Sequence, residues 1–474
     1  MSKSYDAVIV GAGPNGLSAA IAIAQAGHST LVLEAEATIG GGTRSAELTL
    51  PGFTHDICSA IHPFGTASPF LAKLPLSKYG LQWVYSPAPL AHPFDDGTAI
   101  VLERSFKDTA PYLGRDAGAY WGLIAPLVWR APRLFQAILA PIRPWNKPFT
   151  MAQFGLRALW PATILAKTLF REPHTRAFFA GMAAHAITPL EDPLTSTFAL
   201  VLATLGHAFG WPFPRGGSKH ISSALAAHLH SLGGEIRPNH RIESMDQLPS
   251  GSKVLFDLTP RQVLSIAGDQ LPNYYRQGLS RYRYGPGIFK VDWALDGPIP
   301  WTAKDCNRAA TIHLGGSLEE IAESERAPWN NQHAQRPYVI VAQHTLFDPS
   351  RAPEGKHTAW AYCHVPHGST TDMTEQIESQ IERFAPGFRQ RILARHTMNS
   401  LDMQQHNANY IGGDINGGVM GLLQTFARPV ARFDPYSTPN PDIFICSAST
   451  PPGGGVHGMP GFWAAQSALR RMAG

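Results

Sequence analysis

The stretch DAVIVGAGPNGLSAAIAIAQAGHSTLVLEA, Asp6 to Ala35, constrains this 474-residue chain more than any other. Ala7–Val10 is an uninterrupted apolar run, the pattern of a parallel strand buried on both faces. Gly11, Gly13 and Gly16 then supply G-x-G-x-x-G, with Pro14 and Asn15 inside the loop. Leu17 to Ala26 reads as a helix ending at Gly27, and Thr30 to Leu33 as a second strand closing on Glu34 and Ala35. The spacing predicts a complete βαβ unit. In such a unit the first glycine permits the tight turn, the second lets a pyrophosphate approach the backbone, and the third lets helix pack on strand. The helix N-terminus offers N–H groups and partial positive charge to phosphates. Glu34, eighteen residues beyond Gly16, is placed to accept ribose hydroxyls.

A second glycine turn follows at once in IGGGTRSAEL, where Gly41, Gly42, Thr43 and Arg44 are the candidate cofactor contacts. A basic glycine turn so soon after the ribose acid points to FAD rather than NAD, and no second G-x-G-x-x-G set within a βαβ unit follows in the chain. A separate NAD(P)H domain is therefore not expected.

These residues resemble the phytoene desaturase-like flavoproteins, and within them the branch of the pyridine nucleotide-disulfide oxidoreductase domain proteins. Three anchors carry the resemblance: GAGPNGL…LEA…GGGTRSAE, the middle RGGSKHISSALAAHLHSLGGEIRPNHRIESM, and the late FICSASTPPGGGVHGMPGFWAAQSAL. They cover about a quarter of the chain but bracket it. The resemblance implies an α/β fold: a Rossmann-type, glutathione reductase-like FAD domain in three segments (1–95, 215–270, 421–474), with an inserted α+β substrate domain and helical cap (96–214, 271–420). It further implies that backbone at Ile242 lies by the adenine, and that Gly454, Gly455, Val456, His457 and Met459 neighbour the isoalloxazine.

The middle anchor also reads without that resemblance. Ser218 suits an N-cap, Ile221, Leu225, Leu229 and Leu232 recur at helical spacing, and Gly233-Gly234 ends the helix. A strand EIRPNHRI and another at KVLFDLTP are expected next. In the late anchor, DIFICSAST reads as a buried strand, and a helix begins near Gly461. A strand, glycine turn and helix N-terminus aim positive backbone ends at an electron-rich group, and such a group beside a flavin favours its reduced form.

Catalytic candidates are His457, either an acid–base group or a turn residue, and Asp56 and His62 in FTHDICSAIHP. The last two either line the substrate side or form a structural hydrogen-bond cluster. Their spacing fits no metal site. NYIGGDINGG, Asn409 to Gly418, resembles a glycine-rich family segment near the flavin.

The four cysteines are scattered, with no C-x-x-C, so disulfide chemistry is unsupported and a reducing cytoplasm is expected. The chain enters its first strand too early for a secretion signal. Net charge is +4, yet residues 120–176 hold eight bases and one acid (+7), leaving the rest at −3. Tryptophans and bases interleaved with apolar residues suit helices lying in a membrane interface. Prolines 126, 132, 141, 144, 148 and 161 keep those helices too short to span. The expectation is peripheral contact on the inner face of a membrane and no nucleic-acid partner.

The leading expectation is an FAD-dependent oxidoreductase acting on an apolar polyene, isoprenoid or lipid-like small molecule. Hydride would move between C–H and flavin N5 for desaturation, saturation or redox-neutral isomerisation, with oxygen, quinone or no external acceptor. Two alternatives stay open: a non-catalytic lipid-binding or escort protein of the same fold, and an amine oxidase-like flavoenzyme.

Overall fold

A computed structural model describes residues 4–141 and 147–473; Arg143 and Pro144 lie outside the described residues. The nucleotide unit forms as read: strand β1 (Ala7–Val10), helix α1 (Pro14–Gln25) and strand β2 (Thr30–Leu33). Three later strands join them in one parallel sheet, ordered Ile443–Ile445, Lys253–Phe256, β1, β2, Glu235–Arg237. The strand expected over EIRPNHRI keeps only its first three residues, because Pro238 has no N–H to continue the ladder.

A seven-stranded mixed sheet forms the second body, ordered Ile392–Met398, Gly287–Leu295, His357–Val365, Val339–Ala342, Ala309–Leu314, Ala88–Pro93, Ala99–Leu102. All its pairs are antiparallel except Ala309–Leu314 with Ala88–Pro93. Strand Ala88–Pro93 therefore belongs to this sheet, and the boundary drawn at residue 95 falls too late. Side chains alternate across the sheet. Val291, Trp293, Val339, Val341, Ala361 and Cys363 pack on one face, together with Ile377, Ile381 and Phe384 of the helix Thr374–Phe384. Thr311, Ile340, Ala342, Trp360 and Tyr362 take the other face and look toward the nucleotide sheet across a cavity.

Helices Ala117–Val128, Ala131–Ile138, Pro148–Ala158 and Ala162–Leu169 form the cap and all pack against Thr195–Ala208. The described prolines, 126, 132, 141, 148 and 161, fall inside, at the ends of or between these short helices. No described helix is long and apolar enough to cross a membrane.

The closing helix Met459–Met472 lies along α1. Its Gly461 approaches so closely that a Cβ there would sit 1.8 Å from the Asn15 carbonyl oxygen. Gly461→Ala is thus expected to lose about 3 kcal/mol or more of stability, since neither backbone can yield cheaply. Gly118→Ala, in a cap helix with open space around it, should change stability by no more than about 1 kcal/mol. Denaturant melts of the two variants check this; equal, small effects would contradict the close crossing.

Candidate functional site

Leu33, Val10, Phe256 and Ile445 stand opposite one another across the parallel sheet. The next residues, Glu34, Gly11, Asp257 and Cys446, therefore leave the carboxyl edge together, where ligands bind in open α/β sheets. Glu34 accepts the Ala12 N–H (2.8 Å) on one oxygen and the Glu36 N–H (3.0 Å) on the other. Each oxygen keeps further acceptor capacity. Gly16 sits so near the turn that a Cβ would lie 2.0 Å from the Gly11 carbonyl oxygen.

The second glycine turn is fastened to the first by the Gly40 N–H donating to the Ala12 carbonyl (2.9 Å). Arg44 then works as a clamp, donating to the Gly41 carbonyl (3.1 Å) and to the His406 carbonyl (2.8 Å). This brings in the segment that holds Asn407, Asn409, Tyr410 and Asn416. A Cβ at residue 42 would meet the Tyr410 hydroxyl at 2.2 Å, so a larger residue there would displace that side chain.

One cavity of about 340 Å³ joins these parts. Of the residues selected from sequence, Gly13, Pro14, Asn15, Gly41, Gly42, Thr43, His62, Gly454, Gly455 and Val456 line it. Gly11, Gly16, Glu34, Ala35, Arg44, Asp56, Ile242, His457 and Met459 do not. Gly11, Gly16 and Arg44 support the walls from behind. Ile242 packs on the apolar cluster containing Val10 and Leu33, at the sheet edge where the His240 N–H donates to the Glu34 carbonyl (2.7 Å). Beyond the glycine walls the cavity continues into an arm lined by Phe198, Val201 and Leu202 on one side and Ile340, Ala342 and Trp360 on the other.

The three catalytic candidates separate. His457 is buried, and its Nδ1 accepts the Met459 N–H (3.2 Å). Its Nε2 therefore carries the proton and donates to the Gly454 carbonyl (3.2 Å). Both nitrogens are engaged in shaping the turn, so His457 is not placed for acid–base work. Asp56 lies beneath the cavity, fully enclosed. It accepts from Arg351 (2.6 Å), the Ser218 N–H (2.7 Å) and the Ser45 hydroxyl (2.7 Å). Burial alone would push its carboxyl up, but Arg351 and then His344 hold it well below the usual carboxylate range. Asp56 is thus a structural anchor. Ser218 begins its helix without a side-chain cap, because its hydroxyl donates to the Ser59 carbonyl (2.7 Å) and accepts from His62 Nε2 (2.8 Å). That fixes the His62 tautomer with Nδ1 unprotonated, and Nδ1 is buried without a partner. Burial lowers the His62 ring to about 4, so it is neutral at pH 7.

Several groups escaped the sequence reading. Asp257 lines the nucleotide end and accepts the Gly16 N–H (2.9 Å). Burial, reinforced by Glu34 against the Gly16 N–H, pushes its carboxyl well above the carboxylate range. Lys290 and Asp292 form a buried ion pair on the sheet, with Lys290 Nζ 5.8 Å from the centre of the Trp360 ring. Burial raises Asp292, while Lys290, then His396 and His55, bring it below its ordinary value. The only sequence signal for this pair was K-x-D inside an otherwise apolar strand. Among the described residues no cluster of His, Cys, Asp and Glu is arranged to hold a metal ion.

The family model of the NAD(P)-binding Rossmann-like domain matches residues 9–74. The chain is similar to the mouse (Mus musculus) pyridine nucleotide-disulfide oxidoreductase domain-containing protein 2, at 25% identity over 99% of this chain and 94% of that protein. It is also similar to the chloroplastic prolycopene isomerase of carrot (Daucus carota), at 22% identity over 75% of this chain and 60% of that one. Among solved structures, an oxidoreductase from Methanosarcina mazei superposes with a TM-score of 0.68 at 16% identity, over 98% of this chain and 99% of the other. Putrescine oxidase bound to putrescine gives 0.63 at 18% identity, over 99% of both chains. The Rab GDI of Plasmodium falciparum gives 0.52 at 13% identity, over 99% of this chain and 98% of the other. The fold is thus a Rossmann-like α/β architecture, shared with oxidoreductases and with a Rab GDI.

The buried neutral histidines give the site a pH signature. With the His62 ring lowered to about 4, the unfolded chain binds a proton near pH 6.5 that the folded chain refuses, so stability falls as pH drops from about 6.5 toward 4. His62→Gln should make this dependence shallower by about 1.2 kcal/mol per pH unit between pH 6 and 5. Parallel profiles for the variant and the native protein would contradict a buried, uncharged His62.

Proposed function

We propose that the protein is an FAD-dependent oxidoreductase acting on an apolar, lipid-like or polyene substrate. The observation that carries this reading is one cavity lined at one end by both glycine walls and at the other by an apolar arm. The residues present fit FAD. Gly13, Gly41 and Gly42 form a cradle that side chains would obstruct, Asn15 Oδ1 is buried there without a partner, and Glu34 has acceptor capacity for a ribose. The α1 N-terminus would hold the pyrophosphate, Ile242 would flank the adenine, and Gly454 to Val456 would back the ring. When bound, FAD supplies a two-electron acceptor that exchanges hydride with a substrate C–H.

The chain's own residues then orient the substrate and keep water out. Phe198, Val201, Leu202 and Ile340 enclose it, and a dry site strengthens the field of the nearby helix N-termini. His62 supplies an unprotonated nitrogen at the cavity wall for holding a proton or a hydroxyl. The likeness to a prolycopene isomerase supports keeping isomerisation beside desaturation and saturation as the net outcome, the acceptor being oxygen, a quinone or none. The amine oxidase alternative is disfavoured because no carboxylate lines the apolar arm. An escort role without cofactor is disfavoured by the intact cradle.

A lipid surface is the further proposed contact. Trp129, Leu156 and Phe149 are 70%, 71% and 89% exposed on the cap helices, and Ile164 is also exposed. Arg130, Arg133 and Lys147 accompany them, while Lys167 is already paired with Glu319 (2.9 Å). These helices rest on Thr195–Ala208, which also contributes Phe198, Val201 and Leu202 to the apolar arm.

Purified protein should carry, or take up, stoichiometric FAD, read from its absorption and from the flavin released on denaturation. Gly13→Val should abolish retention while circular dichroism stays native; a colourless native protein that ignores added FAD contradicts the proposal. Replacing Arg130, Arg133 and Lys147 with Gln should weaken sedimentation with phosphatidylglycerol vesicles by roughly 100-fold, at about 1 kcal/mol per base. Unchanged sedimentation removes the lipid surface.

A further inference from the structure

The floor of the apolar arm sets what can occupy it. Leu90, Thr311, Ala342, Trp360 and Asp292 stand opposite one another in turn, forming a single row across five neighbouring strands. Thr311, Ala342 and Trp360 of this row line the cavity. Adjacent strands lie about 4.8 Å apart, so Thr311 and Trp360 rise roughly 10 Å apart with only a methyl group between them. The row leaves a notch over Ala342 with a polar side chain on each flank.

Both flanking groups lack partners. Thr311 Oγ1 and Trp360 Nε1 are buried and make no hydrogen bond, although the side chains are only 3% and 5% exposed. A buried indole N–H ordinarily finds an acceptor, and leaving two such groups unpaired is costly. Two neighbouring polar side chains of the cavity, by contrast, are paired. Trp211 Nε1 donates to the Leu202 carbonyl (3.2 Å), and His185 Nε2 pairs with His313 Nε2 (3.0 Å). No Asp, Glu, Lys or Arg side chain lines the arm; Asp257 lies at the nucleotide end, and Lys290 and Asp292 neutralise each other outside the lining. Burial lowers His185 to about 3, so that ring too is neutral.

We infer that the notch seats one neutral oxygen function, a carbonyl or a hydroxyl, on an otherwise apolar substrate, with Trp360 Nε1–H donating to it and Thr311 Oγ1 donating to it or accepting from it. This rests on the reading of the cavity as an oxidoreductase's substrate site and narrows the substrate class within it. A plain hydrocarbon would leave both groups unpaired. An ammonium would enter without a carboxylate to meet it, and a carboxylate without a cation, so each would bear an uncompensated desolvation cost.

The test uses the full-length protein and four matched probes, octan-2-one, octan-2-ol, n-octane and octylammonium, titrated by calorimetry while flavin content is read by absorption. The ketone and alcohol should bind about tenfold more tightly than n-octane, and octylammonium no more tightly than n-octane. Thr311→Val, which keeps the shape, and Trp360→Phe should each reduce the ketone's advantage over n-octane severalfold while leaving flavin content unchanged. If Trp360→Phe fails to fold, Thr311→Val alone decides. Equal affinity for n-octane, tighter binding of octylammonium, or a full ketone preference in Thr311→Val overturns the inference. Loss of flavin with the ketone preference intact also overturns it, by assigning these atoms to the cofactor. A colourless protein that still prefers the ketone would sink the flavin reading and leave the polar seat standing.

Discussion

The contact between Gly461 and the Asn15 carbonyl is the constraint on which the site depends. Two helices whose N-termini lie more than 430 residues apart in the chain meet there backbone to backbone. Only a pair of thin helices can cross so closely. Small residues supply this: Gly461 meets the Asn15 carbonyl and the Ala19 nitrogen of α1, and Ala19, Ala464, Ala465 and Ala468 belong to one apolar cluster. The crossing brings the glycine loop after β1 and the turn at Gly454 to Val456 onto the same cavity, with the N-terminus of α1 at the first wall. A phosphate chain at that wall answers its partial positive charge.

The second body contributes a different logic. Its seven-stranded sheet buries one face conventionally, and turns toward the cavity a face that mixes apolar, aromatic and polar side chains. Buried charge beneath that face is held by pairing: Asp56 with Arg351, and Lys290 with Asp292. Arg351 also binds Asp348 (3.0 Å) and the Pro214 carbonyl (2.6 Å). The chain's return to the nucleotide sheet, through Gly216 and Ser218, is therefore tied to the substrate body by ionic hydrogen bonds. These bonds leave the cavity itself lined almost entirely by neutral groups.

What could be read in the sequence was whatever local pattern decides. β1, α1, β2 and the later strands at Lys253 and Ile443 follow from apolar runs and glycine placement. Strand Ala88–Pro93, sequence APLAHP, lies on the other side of the expected boundary because a short strand does not say which sheet it joins. Asp56 and His457 looked chemical because a polar residue in an apolar stretch implies a purpose, but the purpose is set by partners. Arg351 lies 295 residues from Asp56, beyond any local signal. His457 was ambiguous between catalysis and turn-making until both of its nitrogens were accounted for. Thr311 and Trp360 could not be selected at all, since each sits in a strand that reads as plain core and only cross-strand register aligns them.

The account stands on one cofactor being held between two glycine walls. Its most direct test is a crystal structure of the protein grown with FAD. The account predicts continuous density running from Glu34 past Gly13 and Asn15 to a ring against Gly454 to Val456, with the apolar arm opening beyond the ring. Density for a nucleotide confined to the first wall, with Gly454 to Val456 untouched, would contradict it.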